Sequence, residues 1–283
     1  MAKQLKEAAK ISLISNIILF LIKAVIGVIS NSIAVISDAI NALTDIASSA
    51  AIMYSVKVSF KKPDEEHQFG HHAAQPIAVF VVALFSAIVS IELIKSSIER
   101  ISSSYKIHAS IPIYITIVVT IVAKIILTRY QKRVGITFKS PGLKASAVDS
   151  LNDVLSTSIS LLGLIGVQLG FKYVDGIGGI IIAVIIMKSV YDIVRENIGY
   201  LMGQSADETL ILQIANAALK TEGVRGINEL NSHYIGNKFN VEIHIDVDKN
   251  FSTEKSHDIG KSVEKQISKI PDINKVFVHI DPV

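Results

Sequence analysis

Two short stretches carry the residues best placed to do chemistry. Asn41 and Asp45 stand four apart, and so do Asp149 and Asp153; on a helix each pair shares one face, a turn apart. Together they offer three carboxylates and one amide, a donor set made only of oxygen. Carboxylate and carbonyl oxygens suit Mg, Ca or Mn, whereas imidazole suits zinc. No histidine lies in either stretch, and the chain has no cysteine, which removes thiolate ligands and disulfides alike. Paired like charges repel unless a cation or protons neutralise them. A single aspartate in such a place is equally explained as polar glue between helices; two matched pairs point to a cation site. A third acid, Asp38, sits seven residues before Asp45 and shares its face about two turns away. Support behind the ligands, a place on an entry path, or a helix-packing hydrogen bond would each account for it.

The two stretches also resemble each other. NALTDIASS at 41–49 aligns with DSLNDVLSTS from 149, which sets Asn41 over Asp149, Asp45 over Asp153 and Ser48 over Ser156. Repeats that meet at a ligand near the membrane midplane are common in transporters. Ala47, Ser48, Ser49, Ala50 and Ala51 are small enough to let two helices approach closely.

What must position these residues follows from composition. Half of the 283 residues are hydrophobic and 19% are charged, below the roughly 25% of an average soluble domain; mean hydropathy is +0.47. The apolar residues are gathered into runs rather than spread at amphipathic periods. Six runs approach the about 20 residues needed to cross a bilayer: 11–30, 33–56, 77–98, 111–128, 145–168 and 174–194. The first follows a basic N-terminus, yet no small-residue cleavage site follows it, so it reads as a retained span. Asp38, Asp45, Asp149 and Asp153 therefore lie at membrane depth, where each charge costs several kcal/mol and asks for a reason.

The basic residues set the orientation by the positive-inside rule. Lys3, Lys6, Lys10, Lys57, Lys61, Lys62, Arg129, Lys132, Arg133, Lys139 and Lys144 fall on one side, and Arg100, Lys106 and Lys172 on the other. Both termini are expected to be cytoplasmic. With a net charge of +3 and its basic residues dispersed between runs, the chain offers no footprint for nucleic acid; the partners expected are membrane lipid and a metal ion.

From about Ser205 the composition changes. SADETL reads as a helix N-terminus with acidic residues in its first turn. The expected order is helix 207–221, strand 226–235, strand 238–247, helix 253–269 and strand 274–281, with Gly236-Asn237 as the hairpin turn. In the second strand Phe239, Val241, Ile243, Ile245 and Val247 alternate with Asn240, Glu242, His244 and Asp246; in the third, Val276, Val278 and Ile280 alternate with Phe277, His279 and Asp281. The organisation is thus a six-helix transmembrane domain over 1–204 and a small α/β domain over 205–283.

The stretch NSIAVISDAINALTD, the segment DEEHQFGHH after the second run, and the four-residue oxygen set resemble the cation diffusion facilitator family of metal-proton antiporters, over essentially the whole chain. The resemblance implies six spans with a cytoplasmic ferredoxin-like domain, a homodimer, and export of metal from the cytoplasm against protons, with no prosthetic group. It carries the transport site onto Asn41, Asp45, Asp149 and Asp153. Zinc-transporting members usually place histidine at one or both of the positions held here by Asn41 and Asp149; the arrangement found here is similar to the manganese-exporting branch, with Fe2+, Co2+ or Zn2+ as alternatives. The resemblance also implies a second metal position in the loop at Asp64, His67 and His71, where a solvated charged loop is the plainer account. A third is implied at His244, His257, His279 and Asp281 of the C-terminal domain. There the family's upstream histidine is replaced by Asn228, and surface histidines would explain the same residues. His72 and His233 read as surface polar residues, and His108 lies in an outer loop.

Two other classes compete. A membrane metalloprotease would carry His-Glu-x-x-His on a span, a motif absent from this sequence, so an enzyme is not expected. A non-transporting metal sensor or assembly subunit has no need of paired carboxylates at membrane depth, although a family member that had lost transport would retain them. The compartment expected is a bacterial cytoplasmic membrane.

Overall fold

The computed structural model describes residues 2–29, 33–102, 111–169, 171, 173–236 and 238–283. Lys106, His108, Lys172 and Asn237 fall outside them. The chain divides into two compact units, one of residues 1–61 and 74–197, the other of 62–73 and 198–283.

The first unit is a bundle of six transmembrane helices: α1 (Ala2–Ile29), α2 (Ile33–Ser59), α3 (Ala74–Ser102), α4 (Ile111–Thr137), α5 (Pro141–Gln168) and α6 (Val174–Leu201). Its burial pattern is inverted relative to a water-soluble protein. α1 buries Ser12, Asn16 and Lys23 while Ile18, Leu21, Val25 and Val28 stand outward; α4 buries Thr116, Thr120, Lys124 and Gln131 while Ile115, Val122 and Ile126 stand outward. Apolar side chains facing out and polar ones facing in are what a hydrocarbon solvent selects. Four helices among the described residues are long and apolar enough to cross a membrane by themselves, namely α1, α3, α4 and α6 from Gly176. α2 and α5 are of similar length, and they are the two that carry Asp38, Asp45, Asp149 and Asp153.

The helices run beyond the apolar cores seen in sequence. α1 begins nine residues earlier, at Ala2, because Leu5, Ala8 and Ala9 are buried in a cluster with Ile52, Val56 and Val79. α4 continues to Thr137 with Gln131 and Gly135 buried. α5 starts at Pro141, where proline's missing N–H costs nothing and its fixed φ suits a first turn. A Cβ at Gly27 would stand 2.8 Å from Ile36 Cγ1, so glycine permits the close approach of α1 to α2. Ser90 Oγ donates to the Ala183 carbonyl at 2.7 Å and ties α3 to α6.

In the second unit α7 (Glu208–Leu219), β1 (Gly226–Ile235), β2 (Lys238–Val247), α8 (Thr253–Ile267) and β3 (Ile273–Pro282) form a two-layer ferredoxin-like domain. The sheet order is β1-β2-β3; β1 pairs antiparallel with β2, and β3 parallel with it after the α8 crossover. Asp207 caps α7 by accepting from Leu210 N at 2.8 Å, and Ser252 caps α8 by accepting from Lys255 N at 3.2 Å. Gly236 turns the hairpin with φ +72°, a conformation glycine adopts without a Cβ clash. The alternation of β2 is realised: Phe239, Val241, Ile243, Ile245 and Val247 are buried with Ile214 of α7 and Ile259, Val263 and Ile267 of α8. Asn240, expected on the open face, is itself buried; it accepts from Asn274 Nδ2 at 2.9 Å, which compensates its desolvation. Residues 62–73 pack into this unit, with Phe69 edge-on to Phe277 at 6.3 Å.

Candidate metal centre

Helical spacing on α2 and α5 brings Asp45, Asp149 and Asp153 together, each offering one oxygen within 4.8 Å of the others'. They border a cavity of about 20 Å³ that Ser48, Ser86 and Asn152 also line, enough for one ion or water. No histidine is among the residues that line it. Ser86 Oγ on α3 donates to Asp149 Oδ1 at 2.6 Å, and Asn16 Nδ2 on α1 reaches the Asp45 carbonyl at 3.3 Å and Ser49 Oγ at 2.6 Å. Four helices therefore hold the three acids.

The sequence reading overlooked a cation at the same place. Lys124 of α4, 2% exposed, puts Nζ 2.9 Å from Asp45 Oδ2 and 2.5 Å from Asp153 Oδ2. Three carboxylates against one ammonium leave two formal negative charges, the complement of one divalent cation. Lys23 of α1 was overlooked likewise; it pairs with Asp38 at 2.9 Å. Of the roles open to Asp38 from sequence, the structure displays the packing one, an ion pair joining α1 to α2. A signal for it exists in the sequence: Thr116, Thr120 and Lys124 recur four apart inside the apolar run 111–128, with Gln131 following on the same side, so α4 turns a polar stripe inward.

Asn41 is not gathered with the acids. It is exposed on α2 and absent from the cavity lining, where Asn152 supplies the amide.

The loop residues Asp64, His67 and His71 do converge within 4.8 Å. Asp64 lies 3.4 Å from His67 Nδ1 and 3.2 Å from His71 Nε2. The backbone N–H of His67 donates to its carboxylate at 2.7 Å and holds its pKa below the ordinary value, with both imidazoles acting in the same direction. His71 Nδ1 is buried with no hydrogen-bond partner among the described residues. The neighbouring His72 is half-buried rather than a surface residue, and burial, then nearby Lys238, pushes its pKa down.

In the sheet, the parallel register sets His244 beside His279 and Asp246 beside Asp281. His244, His279 and Asp281 form a cluster, with Asp281 at 3.6 Å from His244 Nδ1 and 3.3 Å from His279 Nε2. Asn228, in place of the expected histidine, reaches Asp281 Oδ2 at 3.4 Å. His257 does not join them. α8 turns Ile259, Val263 and Ile267 to the sheet, and a residue two positions before Ile259 is carried roughly 200° around the helix, leaving His257 exposed on the far side of the layer from His244. His233 is exposed, its Nε2 3.4 Å from Asn240 Nδ2.

Comparison with known proteins accords with these features. Residues 9–202 match the cation efflux transmembrane domain and 206–283 the cation efflux protein cytoplasmic domain, the latter called a dimer domain. An uncharacterized transporter of Methanocaldococcus jannaschii is 33% identical over 279 residues, 99% of each chain. The manganese efflux system proteins MneS and MneP of Bacillus subtilis are 26% and 28% identical, covering 99% and 98% of this chain and 96% of each of theirs. This integral membrane protein belongs to the cation efflux family of metal transporters.

Proposed function

We propose that the protein exports Mn2+ from the cytoplasm in exchange for protons, acting as a homodimer and not as an enzyme, with both termini cytoplasmic in a bacterial membrane. The reading assigns transport to residues 1–204 and the cytoplasmic domain to 205–283. The observation that carries it is the cluster of Asp45, Asp149 and Asp153, which offers only oxygen and is small enough for one bare ion. Hard oxygen donors reduce the advantage that zinc holds at nitrogen and sulfur sites. The names of the two Bacillus relatives support the same metal. Asn41, one turn from Asp45 on α2 and exposed in this structure, is proposed as a further oxygen donor, engaged when α2 rotates during the cycle. The clusters at Asp64, His67 and His71 and at His244, His279 and Asp281 are proposed as accessory cytoplasmic metal positions, the second with His257 outside it in a single chain.

Purified protein in liposomes with an imposed pH gradient provides the test. Manganese flux should follow the gradient and be lost in Asp45→Asn and in Asp149→Asn. Absence of flux in the wild type, or its survival in the doubly substituted protein, would refute the assignment.

A further inference from the structure

We propose that Lys124 is a tethered cation that occupies the metal position when the site is empty and withdraws to Asn16 when metal binds. The idea rests on the transport-site reading above. An ammonium at the middle of a transmembrane helix is costly in lipid, and Lys124 is 2% exposed. It is aimed at two of the three carboxylates proposed to hold metal, bridging α2 and α5 through Asp45 and Asp153. A divalent ion on those oxygens would lie within a few ångströms of Nζ, where like charges in a low-dielectric interior repel strongly. Metal and ammonium therefore exclude each other from these two oxygens.

A second observation says where the ammonium goes. Asn16 Oδ1 is buried and has no hydrogen-bond partner among the described residues, although Nδ2 of the same amide is engaged with the Asp45 carbonyl and with Ser49. A buried acceptor without a donor is uncommon and costs stability. The same amide reaches the Asp45 carbonyl through Nδ2 at 3.3 Å, and the flexible four-carbon stem of lysine can carry its donors a short distance. Moving Nζ from Asp45 and Asp153 to Asn16 satisfies that acceptor and vacates the carboxylates. The charge consequence is a filter: the incoming cation must outcompete an ammonium already in place, which favours a divalent ion over a monovalent one. The kinetic consequence is that returning ammonium helps expel the metal.

The test uses the full-length protein in detergent and in liposomes. Lys124→Gln keeps a hydrogen-bond donor for the carboxylates but removes the competing charge. It should tighten Mn2+ binding by about tenfold or more, each tenfold being about 1.4 kcal/mol, with KM and maximal transport rate both falling as release slows. An unchanged or weaker Kd in Lys124→Gln overturns the proposal and makes the lysine a structural clamp. Should that variant not stay monodisperse, the wild type decides: the reactivity of Lys124 towards an amine-specific reagent, read by mass spectrometry, should change on saturation with Mn2+ as Nζ leaves Asp45 and Asp153, and reactivity that stays constant overturns the idea. Asp45→Asn separates the two levels. If it leaves Mn2+ binding intact the transport site itself is misassigned; if it abolishes binding while Lys124→Gln binds no tighter, only the tethered-cation role fails.

Discussion

The ion pair between Lys23 and Asp38 lends itself to a quantitative test because its two ends sit in different surroundings. The lysine side chain is 7% exposed and the aspartate 49% exposed, with Nζ and Oδ2 2.9 Å apart. Removing one partner of a fully buried pair costs about 3–5 kcal/mol, most of it from the charge left behind. In Asp38→Asn the charge left behind is the buried ammonium. Partial access at the aspartate end should reduce the penalty to about 2–3 kcal/mol. In Lys23→Met the remaining charge is a half-exposed carboxylate that a proton can neutralise, and the buried position gains an apolar side chain, so the cost should be about 0–1 kcal/mol. At about 2–4 °C per kcal/mol for a unit of this size, thermal unfolding in detergent should fall by roughly 5–10 °C in Asp38→Asn and by no more than about 4 °C in Lys23→Met. The double variant should lie close to Lys23→Met. Mn2+ affinity should be unchanged in both single variants, since the pair is a tie between α1 and α2. Equal destabilisation by the two substitutions, or a larger loss in Lys23→Met, would refute the burial argument; lost metal binding in Asp38→Asn with normal stability would return Asp38 to the transport path.

Two further outcomes are expected. Asp149→His brings an imidazole into the oxygen site and should raise the ratio of zinc to manganese transport in liposomes, by about tenfold; an unchanged ratio would separate selectivity from ligand hardness. In the soluble domain, Asp248 accepts from Asn250 N at 2.8 Å and pairs with Arg225, and the Asn250 N–H, ahead of its side-chain amide and Arg225, holds the Asp248 pKa below 3.8. A depressed folded pKa makes the unfolded chain the better proton acceptor, so the contribution is present above the unfolded value and lost as pH falls through the folded one. Asp248→Asn should therefore lower the melting temperature at pH 7, and its difference from wild type should shrink below about pH 4; a difference independent of pH would contradict the assignment.

The sequence revealed what is expensive or periodic. Asp45, Asp149 and Asp153 stood out because carboxylates in long apolar runs are costly, and the structure gathers them around one cavity. The period of two along β2 identified the buried face of the sheet before any partner was known. Relations that depend on which helix lies beside which were not legible. Lys23 and Lys124 each sit in a run apolar enough to absorb one charge, and their pairing with Asp38, Asp45 and Asp153 spans α1 to α2 and α4 to both α2 and α5. The exclusion of His257 from the His244 cluster required knowing that α8 covers the opposite face of the sheet. Spacing placed Asn41 on one face with Asp45, but did not foretell that Asn41 is exposed in this structure.

The two overlooked lysines change the charge argument for the whole bundle. Four carboxylates alone would make its interior strongly anionic. Lys23 compensates Asp38, and Lys124 compensates one of the remaining three. What is left is a formal charge of two negatives concentrated around a cavity sized for one ion. A divalent cation neutralises that excess, and so would two protons, which gives the proposed exchange an electrostatic reason to alternate between the two. A monovalent cation leaves half the excess in place within a low-dielectric interior, where uncompensated charge is most costly. Selectivity for charge then comes from the count of fixed groups across α2, α4 and α5, whereas selectivity among divalent metals comes from the chemistry of the oxygens. The two can be altered independently, the first at Lys124 and the second at Asp149.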